Sequence, residues 1–287
     1  MAVKSQNAHV VSVPPRSSGS DIHIAINRLD SCHEEVRLMA GSLSFATPRE
    51  VCGLRALLDH AAANAERVEF DCPTNRSVHR YLERIDFYKD LPANVELSRP
   101  RPSIRRSARE TQLVELVRIN ECDDVENLMD RVSKIAAGQV NSRRLAIAFA
   151  TAIGAATENV VEHAESPIGA LVAAQRYKST GLELTVVDLG AGIPATLTRN
   201  PEHRGLTDLA AVERALEDGV SSLAGDGRGT GLWELVKAVS RGGNSTLGIG
   251  SGRAELSISW REGTQVRNPT TPIHAIRGTW IWVRLEG

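Results

Sequence analysis

Apolar residues recur along the second half of the chain at two spacings, one typical of strands and one typical of helices. The run from Glu183 to Val187 is mostly apolar and contains β-branched residues, which predicts a buried strand. Strands are also predicted at Leu113 to Ile119 and Trp280 to Leu285, and a hairpin between Leu247 and Trp260. Helical spacing predicts further elements at Asp124 to Ala137, Asn141 to Ala164 and Thr207 to Glu217, and a helix that begins near Thr230.

The first part of the chain alternates strand and helix signals. Strands are predicted at Glu35 to Met39 and Val68 to Phe70, and a helix at Asn75 to Ile85. An earlier helix is predicted to start after Thr47, because Thr47 suits the N-cap and Pro48 the first helical position. Strands that alternate with helices in this way predict a small α/β domain.

Breaks in these patterns divide the chain into four parts. Residues 1–20 are polar and contain prolines and serines, which predicts a flexible tail. Residues 21–95 form the first domain, 96–111 a linker rich in arginine and proline, and 112–287 the second domain. The linker arginines could contact nucleic acid or an acidic protein, but a solvated linker is favoured because no aromatic residues are interleaved. They are Arg99, Arg101, Arg105, Arg106 and Arg109.

Composition limits the class of protein without identifying a partner. Of the 287 residues 41% are hydrophobic, so both domains can bury a core, and a net charge of −1 argues neither for nor against a nucleic-acid partner. No run approaches about 18 apolar residues and no signal-type segment begins the chain, so neither secretion nor a membrane span is expected. Four cysteines without paired spacing predict reduced thiols in a cytoplasmic protein: Cys32, Cys52, Cys72 and Cys122.

An acid and two glycine-rich turns supply candidate chemistry. Asp188 follows a predicted strand and precedes a Gly-x-Gly turn at Gly190 and Gly192. A second glycine-rich loop, Gly225 to Gly231, opens into a helical pattern, and the free N–H groups of such a loop bind anions. A carboxylate at a strand end can accept a hydrogen bond from the amino group of a base. The two features together predict a nucleotide site, with Asp188 at the base and the second loop at the phosphates.

The helix predicted at Asn141 to Ala164 carries polar residues beside its apolar stripe. The stripe repeats at helical spacing and comprises Leu145, Phe149, Ala152, Ala156 and Val160. Mg²⁺ prefers oxygen ligands and keeps most of its waters, so a single Asn beside bound phosphates is a suitable ligand. The polar residues beside the stripe are Glu158, Asn159, Glu162 and His163.

These patterns resemble the N, G1 and G2 boxes of the GHKL ATPase superfamily, which includes gyrase B, heat-shock chaperones, histidine kinases and anti-sigma-factor kinases. Gly278-Thr279 resembles the final Gly-Thr element of that family, so the resemblance covers 112–287. It implies an ATP site on an α/β sandwich, with a mixed sheet and helices on one face. The cofactor-binding residues that it implies are Asn159 (also the Mg²⁺ ligand), His163, Asp188, Gly190, Gly192, Ile193, Arg228, Gly229, Thr230, Gly231, Leu232 and Thr279.

The order of elements in residues 21–95 resembles a STAS domain, the fold of anti-sigma-factor antagonists. The phosphorylatable Ser of that family would fall near Thr47, but the Asp-Ser pattern around it is absent, and a helix cap explains Thr47 better. The fold class expected for the whole chain is therefore α/β (α+β), with a STAS-like domain followed by a GHKL-type sandwich.

One position departs from the hydrolytic members of the resembled family. Those members carry a Glu four residues before the Mg²⁺-binding Asn, where it activates the attacking water. Here the position is Ala155, which cannot act as a general base. Glu158 and Glu162 are the candidate catalytic residues in its place, although Glu158 points about 100° away from Asn159 around the helix. The sequence therefore favours ATP binding over hydrolysis.

The expected function is that of a cytoplasmic Mg-ATP-binding regulatory protein. ATP would order a lid between Gly192 and Gly225 and so control a protein partner. The alternative is an enzyme, either a slow ATPase or a serine/threonine protein kinase of the anti-sigma-factor type. Intact motifs argue against a scaffold with a vestigial ATP site. The partner and its pathway stay open, and a homodimer is possible.

Overall fold

The chain forms two compact units, Met1–Ser107 and Ala108–Gly287, each with its own sheet. The computed structural model describes residues 8–16, 19–31, 33–104, 112–121, 123–138, 143–177, 181–220 and 231–286. Helices accompany both sheets, so the expected α+β class is confirmed.

In its described residues, the first unit is a parallel four-stranded sheet with three helices. The strands lie in chain order, and one helix connects each of the first three strands to the next, which returns the chain in the same direction. The strands are β1 (His9–Ser12), β2 (His33–Met39), β3 (Ala65–Asp71) and β4 (Val95–Leu97). The helices are α1 (Gly19–Asn27), α2 (Pro48–Asn64) and α3 (Arg76–Arg84).

The two faces of this parallel sheet differ in chemistry. Val36 and Leu38 of β2 lie beside Val68 and Phe70 of β3, and all four side chains are buried. The alternate positions face the other way and carry ion pairs between neighbouring strands, such as Arg37 with Glu69 at 3.1 Å and Arg67 with Glu96 at 2.5 Å. The sheet thus has one apolar face and one charged face, as strand alternation requires.

The helix start predicted at Thr47 is confirmed. Arg49 N donates to Thr47 Oγ1 at 3.2 Å, and Thr47 N donates to the Glu50 carboxylate at 2.8 Å, which completes a capping box. The helix at Asn75 is also confirmed, since the Asn75 side chain caps α3 by accepting from Ser77 N at 2.9 Å. Local side-chain chemistry therefore determines both helix starts.

Two predicted boundaries of the first unit need correction. His9–Ser12 was expected in a flexible tail but forms β1, and Val95–Leu97 extends into the expected linker as β4. Both strands are short, and each is stabilised by pairing with a longer neighbour rather than by its own pattern. Of the linker arginines, Arg105, Arg106 and Arg109 lie outside the described residues.

The second unit is a seven-stranded sheet in the order β10-β9-β8-β11-β7-β6-β5. Its strands are β5 (Leu113–Ile119), β6 (Ala170–Tyr177), β7 (Gly181–Val187), β8 (Ser245–Gly252), β9 (Ala254–Arg261), β10 (Thr264–Thr270) and β11 (Ile276–Leu285). Its helices are α4 (Asp123–Ala137), α5 (Arg143–His163), α6 (Gly192–Leu197), α7 (Asp208–Arg214) and α8 (Gly231–Ser240), with a single 3₁₀ turn at Pro201–His203.

All pairings described in the seven-stranded sheet are antiparallel, so the mixed sheet expected for this unit is wrong in that detail. Two helices, α4 and α5, connect β5 to β6, and a helical pair returns the chain in the opposite direction. Strands β7 and β8 flank β11 and do not pair with each other. They run in the same direction, because both are antiparallel to β11.

The core of the second unit lies between the sheet and its helices. Phe149 and Ile153 of α5 and Leu235 of α8 belong to one buried cluster with the strand residues. Val212 and Leu216, within and just after α7, belong to the same cluster. The described part of the expected lid, residues 195–220, therefore contributes side chains to the core.

No helix in the described ranges is long and apolar enough to cross a membrane. Cys52 and Cys72 are buried and form no disulfide within the described part of the chain, whereas Cys32 and Cys122 lie outside it.

Candidate functional site

Asp188 directly follows β7, an inner strand, and so lies at one end of the strands of the seven-stranded sheet. Thr279 of β11 pairs with Ser251 of β8, and Trp280 pairs with Val187, so Asp188, Thr279 and Ser251 form one row across three strands. Because β7 and β8 run in the same direction, their carboxyl ends meet at this end. The row faces the helices, as the alternation along β7 and β8 requires.

The Asp188 carboxylate is fully buried and bonded to backbone. Gly190 N donates to Oδ1 at 2.6 Å, and Thr279 N donates to Oδ2 at 3.0 Å. Burial raises the pKa of Asp188 to about 7, and the two backbone donors act against that rise. The group thus changes charge near neutral pH.

Two glycines allow the backbone to close around Asp188. Gly278 has a φ of +70°, and a Cβ at this position would overlap the Asp188 carbonyl oxygen and lie 2.7 Å from Oδ1. Gly192 has a φ of +79°, and a Cβ there would lie 2.6 Å from Ser251 Oγ. Other residues rarely adopt this left-handed region, so both positions need glycine for backbone and for space.

The end of helix α5 contacts the loop that follows Asp188. Ala191 N donates to Ala164 O at 2.8 Å, and Gly190 lies so close that a Cβ would overlap the same oxygen. Leu189 N donates to Ser166 Oγ at 3.3 Å. The segment after α5 therefore holds the acid loop in place.

The start of helix α8 contacts α5 nearer its middle. A Cβ at Gly231 would lie 2.8 Å from Asn159 Nδ2 and 3.3 Å from Ala155 Cβ. The Asn159 side chain is exposed, and the first N–H groups of a helix lack partners within the helix. An exposed carboxamide and a helix N-terminus thus lie side by side.

The remaining predicted residues divide into three groups. Ile193 belongs to the buried core, Leu232 packs against that core, and Glu158 is half-buried on α5. His163 and Glu162 lie on α5, but their side chains are outside the description. Arg228, Gly229 and Thr230 fall in 221–230, also outside the described residues.

Ser251 is the residue of the site that sequence reasoning missed. The Gly250–Gly252 segment was interpreted as the turn of a hairpin rather than as a second phosphate loop; the hairpin is confirmed as β8 and β9, but these three residues belong to strand β8. Leu247, Ile249 and Ser251 alternate along β8, so the alternation places Ser251 on the core face. The feature of the sequence that could have identified Ser251 is a hydroxyl residue between two glycines at a position that alternation places on the core face.

Within the described ranges, no group of three or more His, Cys, Asp or Glu residues could hold a metal ion. No protein-family model matches the chain, and no curated protein matches it. The geometry of the site and the motifs are therefore the basis for a functional assignment.

Proposed function

We propose that the second unit binds Mg-ATP and that the ATP-bound state, rather than hydrolysis, signals to a protein partner. One observation carries the proposal: Ala164, the residue that directly follows α5, contacts the Asp188 loop, and Asn159 of α5 contacts the start of α8. From residue 159 to residue 164 the helical rise is about 7.5 Å. The loop that carries the acid and the start of α8 therefore contact the same helical segment at two separate points, and we assign the base to the first and the phosphates to the second.

Each end has the chemistry for its part of the ligand. The Asp188 oxygens accept one backbone N–H each and a hydrogen bond from the Thr279 side chain, and a carboxylate has about four lone-pair positions, which leaves capacity for a base amino group. The start of α8 carries the positive end of the helix dipole, which favours phosphate. The exposed Asn159 beside it fits a Mg²⁺ ion that keeps most of its waters, and a bound Mg²⁺ would neutralise phosphate charge.

The contact between Gly231 and Ala155 supports slow turnover. A Cβ at Gly231 would lie 3.3 Å from Ala155 Cβ, so α8 packs against the position where a hydrolytic enzyme of the resembled family carries Glu. Ala155 thus lies beside the proposed phosphate position and offers no carboxylate there to activate a water. We therefore propose that this unit is a nucleotide-binding member of the GHKL superfamily, and the STAS-like assignment of the first unit is part of the same proposal.

A second candidate function rests on the burial of Asp188. A fully buried carboxylate with both oxygens bonded to backbone would also serve as a purely structural link between β7 and β11. In that case the second unit needs no nucleotide, and it would be neither a slow ATPase nor a protein kinase.

Calorimetry on the whole chain tests the proposal, with ATP and adenosine as ligands and with or without Mg²⁺. The wild type should bind ATP more tightly when Mg²⁺ is present. Asn159→Ala should lose that Mg²⁺ effect and keep adenosine binding, whereas the control Thr151→Ala, an exposed position on the same helix, should behave as wild type. Absence of ATP binding by folded wild type would refute the proposal and favour the structural candidate.

Turnover and partner capture test the regulatory half of the proposal. Phosphate release should lie far below the usual enzyme range of about 1–10³ s⁻¹. Rapid release that disappears in Glu158→Ala would instead make this protein an ATPase. The partner should co-purify with the chain in a non-hydrolysable ATP analogue and not in ADP; equal recovery in both nucleotides would argue against a switch.

A further inference from the structure

Ser251 connects the two backbone segments that bond the Asp188 carboxylate. Its hydroxyl accepts from Ile193 N at 2.9 Å and donates to Gly278 O at 2.7 Å, and the residue is fully buried. Ile193 follows the Gly190 turn, and Gly278 precedes Thr279. One hydroxyl thus hydrogen-bonds to the two backbone segments that lie on either side of Asp188, and it does so without a bond to Asp188 itself.

The bond from Ser251 to Gly278 reaches Asp188 through a single peptide unit. The carbonyl of Gly278 and the N–H of Thr279 belong to the same peptide plane, since the two residues are consecutive. The carbonyl accepts from Ser251 Oγ, and the N–H donates to Asp188 Oδ2 at 3.0 Å. A rigid plane that is held at its oxygen is also held at its N–H. Hydrogen bonds in such a chain polarise one another, so the first bond strengthens the second.

We propose that Ser251 is a positioning residue for the nucleotide site, which sets the orientation of the Asp188 carboxylate toward the base of ATP. The inference rests on the proposed function for the ligand. The ligand is a nucleotide whose base carries an exocyclic amino group, because that group donates the hydrogen bond that a correctly oriented carboxylate accepts. Ser251 acts through the 278–279 peptide and the Ile193 amide, and has no contact with the base.

The chain offers a matched control at the other end of the same strand. Ser245 also belongs to β8, is fully buried, and donates from Oγ to a backbone carbonyl, that of Val239, at 2.8 Å. Ser251→Ala and Ser245→Ala therefore remove equivalent hydroxyls, and only the first removes a bond that leads to Asp188.

The first measurement compares ATP with inosine triphosphate, which lacks the amino group, in both variants. Ser251→Ala should bind ATP about tenfold more weakly, the usual effect of losing one hydrogen bond, and bind inosine triphosphate as wild type does. Ser245→Ala should leave both affinities unchanged. Equal losses of the two nucleotides, or equal losses in the two variants, would show that Ser251 serves the fold alone.

A second measurement needs no nucleotide. The carboxyl carbon of Asp188, assigned in NMR spectra by its absence from Asp188→Asn, reports the titration of the acid directly. Its midpoint should rise by about one pH unit in Ser251→Ala, because the ionised form loses part of a hydrogen bond, and should not move in Ser245→Ala. An unmoved midpoint in both variants would overturn the inference.

The two proposals can fail separately. If wild type binds no ATP, the proposed function fails and the carboxyl titration alone decides the role of Ser251. If Ser251→Ala does not fold, Ser251→Cys preserves the packing with a much weaker donor and acceptor, and the same rise in midpoint is expected. A wild-type midpoint in folded Ser251→Cys would count against the inference.

Discussion

Asp71 in the first unit and Asp188 in the second both stand at the end of a strand with a glycine against the carboxylate. A Cβ at Gly41 would overlap Asp71 Oδ2, just as one at Gly278 would crowd Asp188. Asp71, however, is half-buried and accepts from the Ser98 hydroxyl at 3.1 Å. Asp188 is fully buried and accepts from two backbone N–H groups.

The difference shows what a strand-end acid needs in order to be a candidate site. Asp71 can be solvated by water, so its charge costs little and its position is set by a rotatable hydroxyl. Asp188 is shielded from water and accepts hydrogen bonds from backbone N–H groups instead. These donors are fixed in position, so they hold the carboxylate in one orientation in a low-dielectric environment. Burial with fixed donors, rather than a strand-end position beside a glycine, distinguishes the two.

Substitution of the glycines beside the two acids should give the largest difference in the free energy of unfolding between the two regions. Gly278→Ala should lower the free energy of unfolding by about 3 kcal/mol or more, because φ is +70° and the new Cβ meets backbone. Gly41→Ala should cost less than about 1 kcal/mol, since Gly41 lies outside the left-handed region and its neighbour is a side chain that can rotate away. Urea unfolding measures both, and similar losses would remove the contrast.

Replacing the acids themselves should give the next largest effect. Asp188→Ala leaves the N–H groups of Gly190 and Thr279 without acceptors, so stability should fall by about 2 kcal/mol and ATP affinity by about 10- to 100-fold. Asp71→Ala should change stability by no more than about 0.5 kcal/mol and leave ATP affinity intact. Thermal melts and calorimetry on the same samples separate the two readouts. An ATP loss in Asp71→Ala of similar size would contradict the comparison.

Asp188 should make a separable contribution to the pH dependence of stability. Its pKa rises from an ordinary 3.8 to about 7, so between these values the folded protein binds the proton more tightly than the unfolded chain. This contribution to stability is complete below about pH 4 and is lost as the pH rises through 7, with a steepest slope of about 1.4 kcal/mol per pH unit. Urea unfolding of wild type minus Asp188→Asn isolates this slope, and Asp71→Asn is the control. A flat difference curve would contradict the burial argument.

Helix caps should give the smallest effects and test whether the units melt separately. Thr47→Ala removes a complete capping box in the first unit, and Thr207→Ala removes a single 3.2 Å bond from Ala210 N in the second. Each should cost about 1 kcal/mol, with Thr47→Ala the larger. Hydrogen exchange should show the first change in α2 and the second in α7 alone. A response of both units to either variant would indicate coupled unfolding.

Long, strongly patterned elements could be predicted from the sequence. The strand Leu113–Ile119 was predicted with the observed bounds, and the hairpin of β8 and β9 was predicted from alternation. Thr47 was identified as a cap from three residues of local sequence. These features depend on neighbours in the chain, which is the information that periodicity and capping rules use.

The arrangement around Asp188 could be predicted only in part. The acid and its glycine turn were found, but its second donor, Thr279 N, lies 91 residues away and was expected as a ligand contact instead. The exposed strand β10 was missed because it has no buried face to impose an alternating pattern. Contacts between distant segments, such as Ser251 with Ile193 and Gly278, arise from the strand order, which no local pattern encodes.

Strand β11 lies in the middle of the seven-stranded sheet, although it follows all the other described strands along the chain. During synthesis β7 and β8 therefore leave the ribosome with open edges before their shared neighbour exists. The strands of the first unit, in contrast, pair in the order in which they are made. A nascent chain stalled before Gly278 would carry a first unit able to fold and an acid at residue 188 without the Thr279 N–H that bonds it, so the arrangement around Asp188 is completed last.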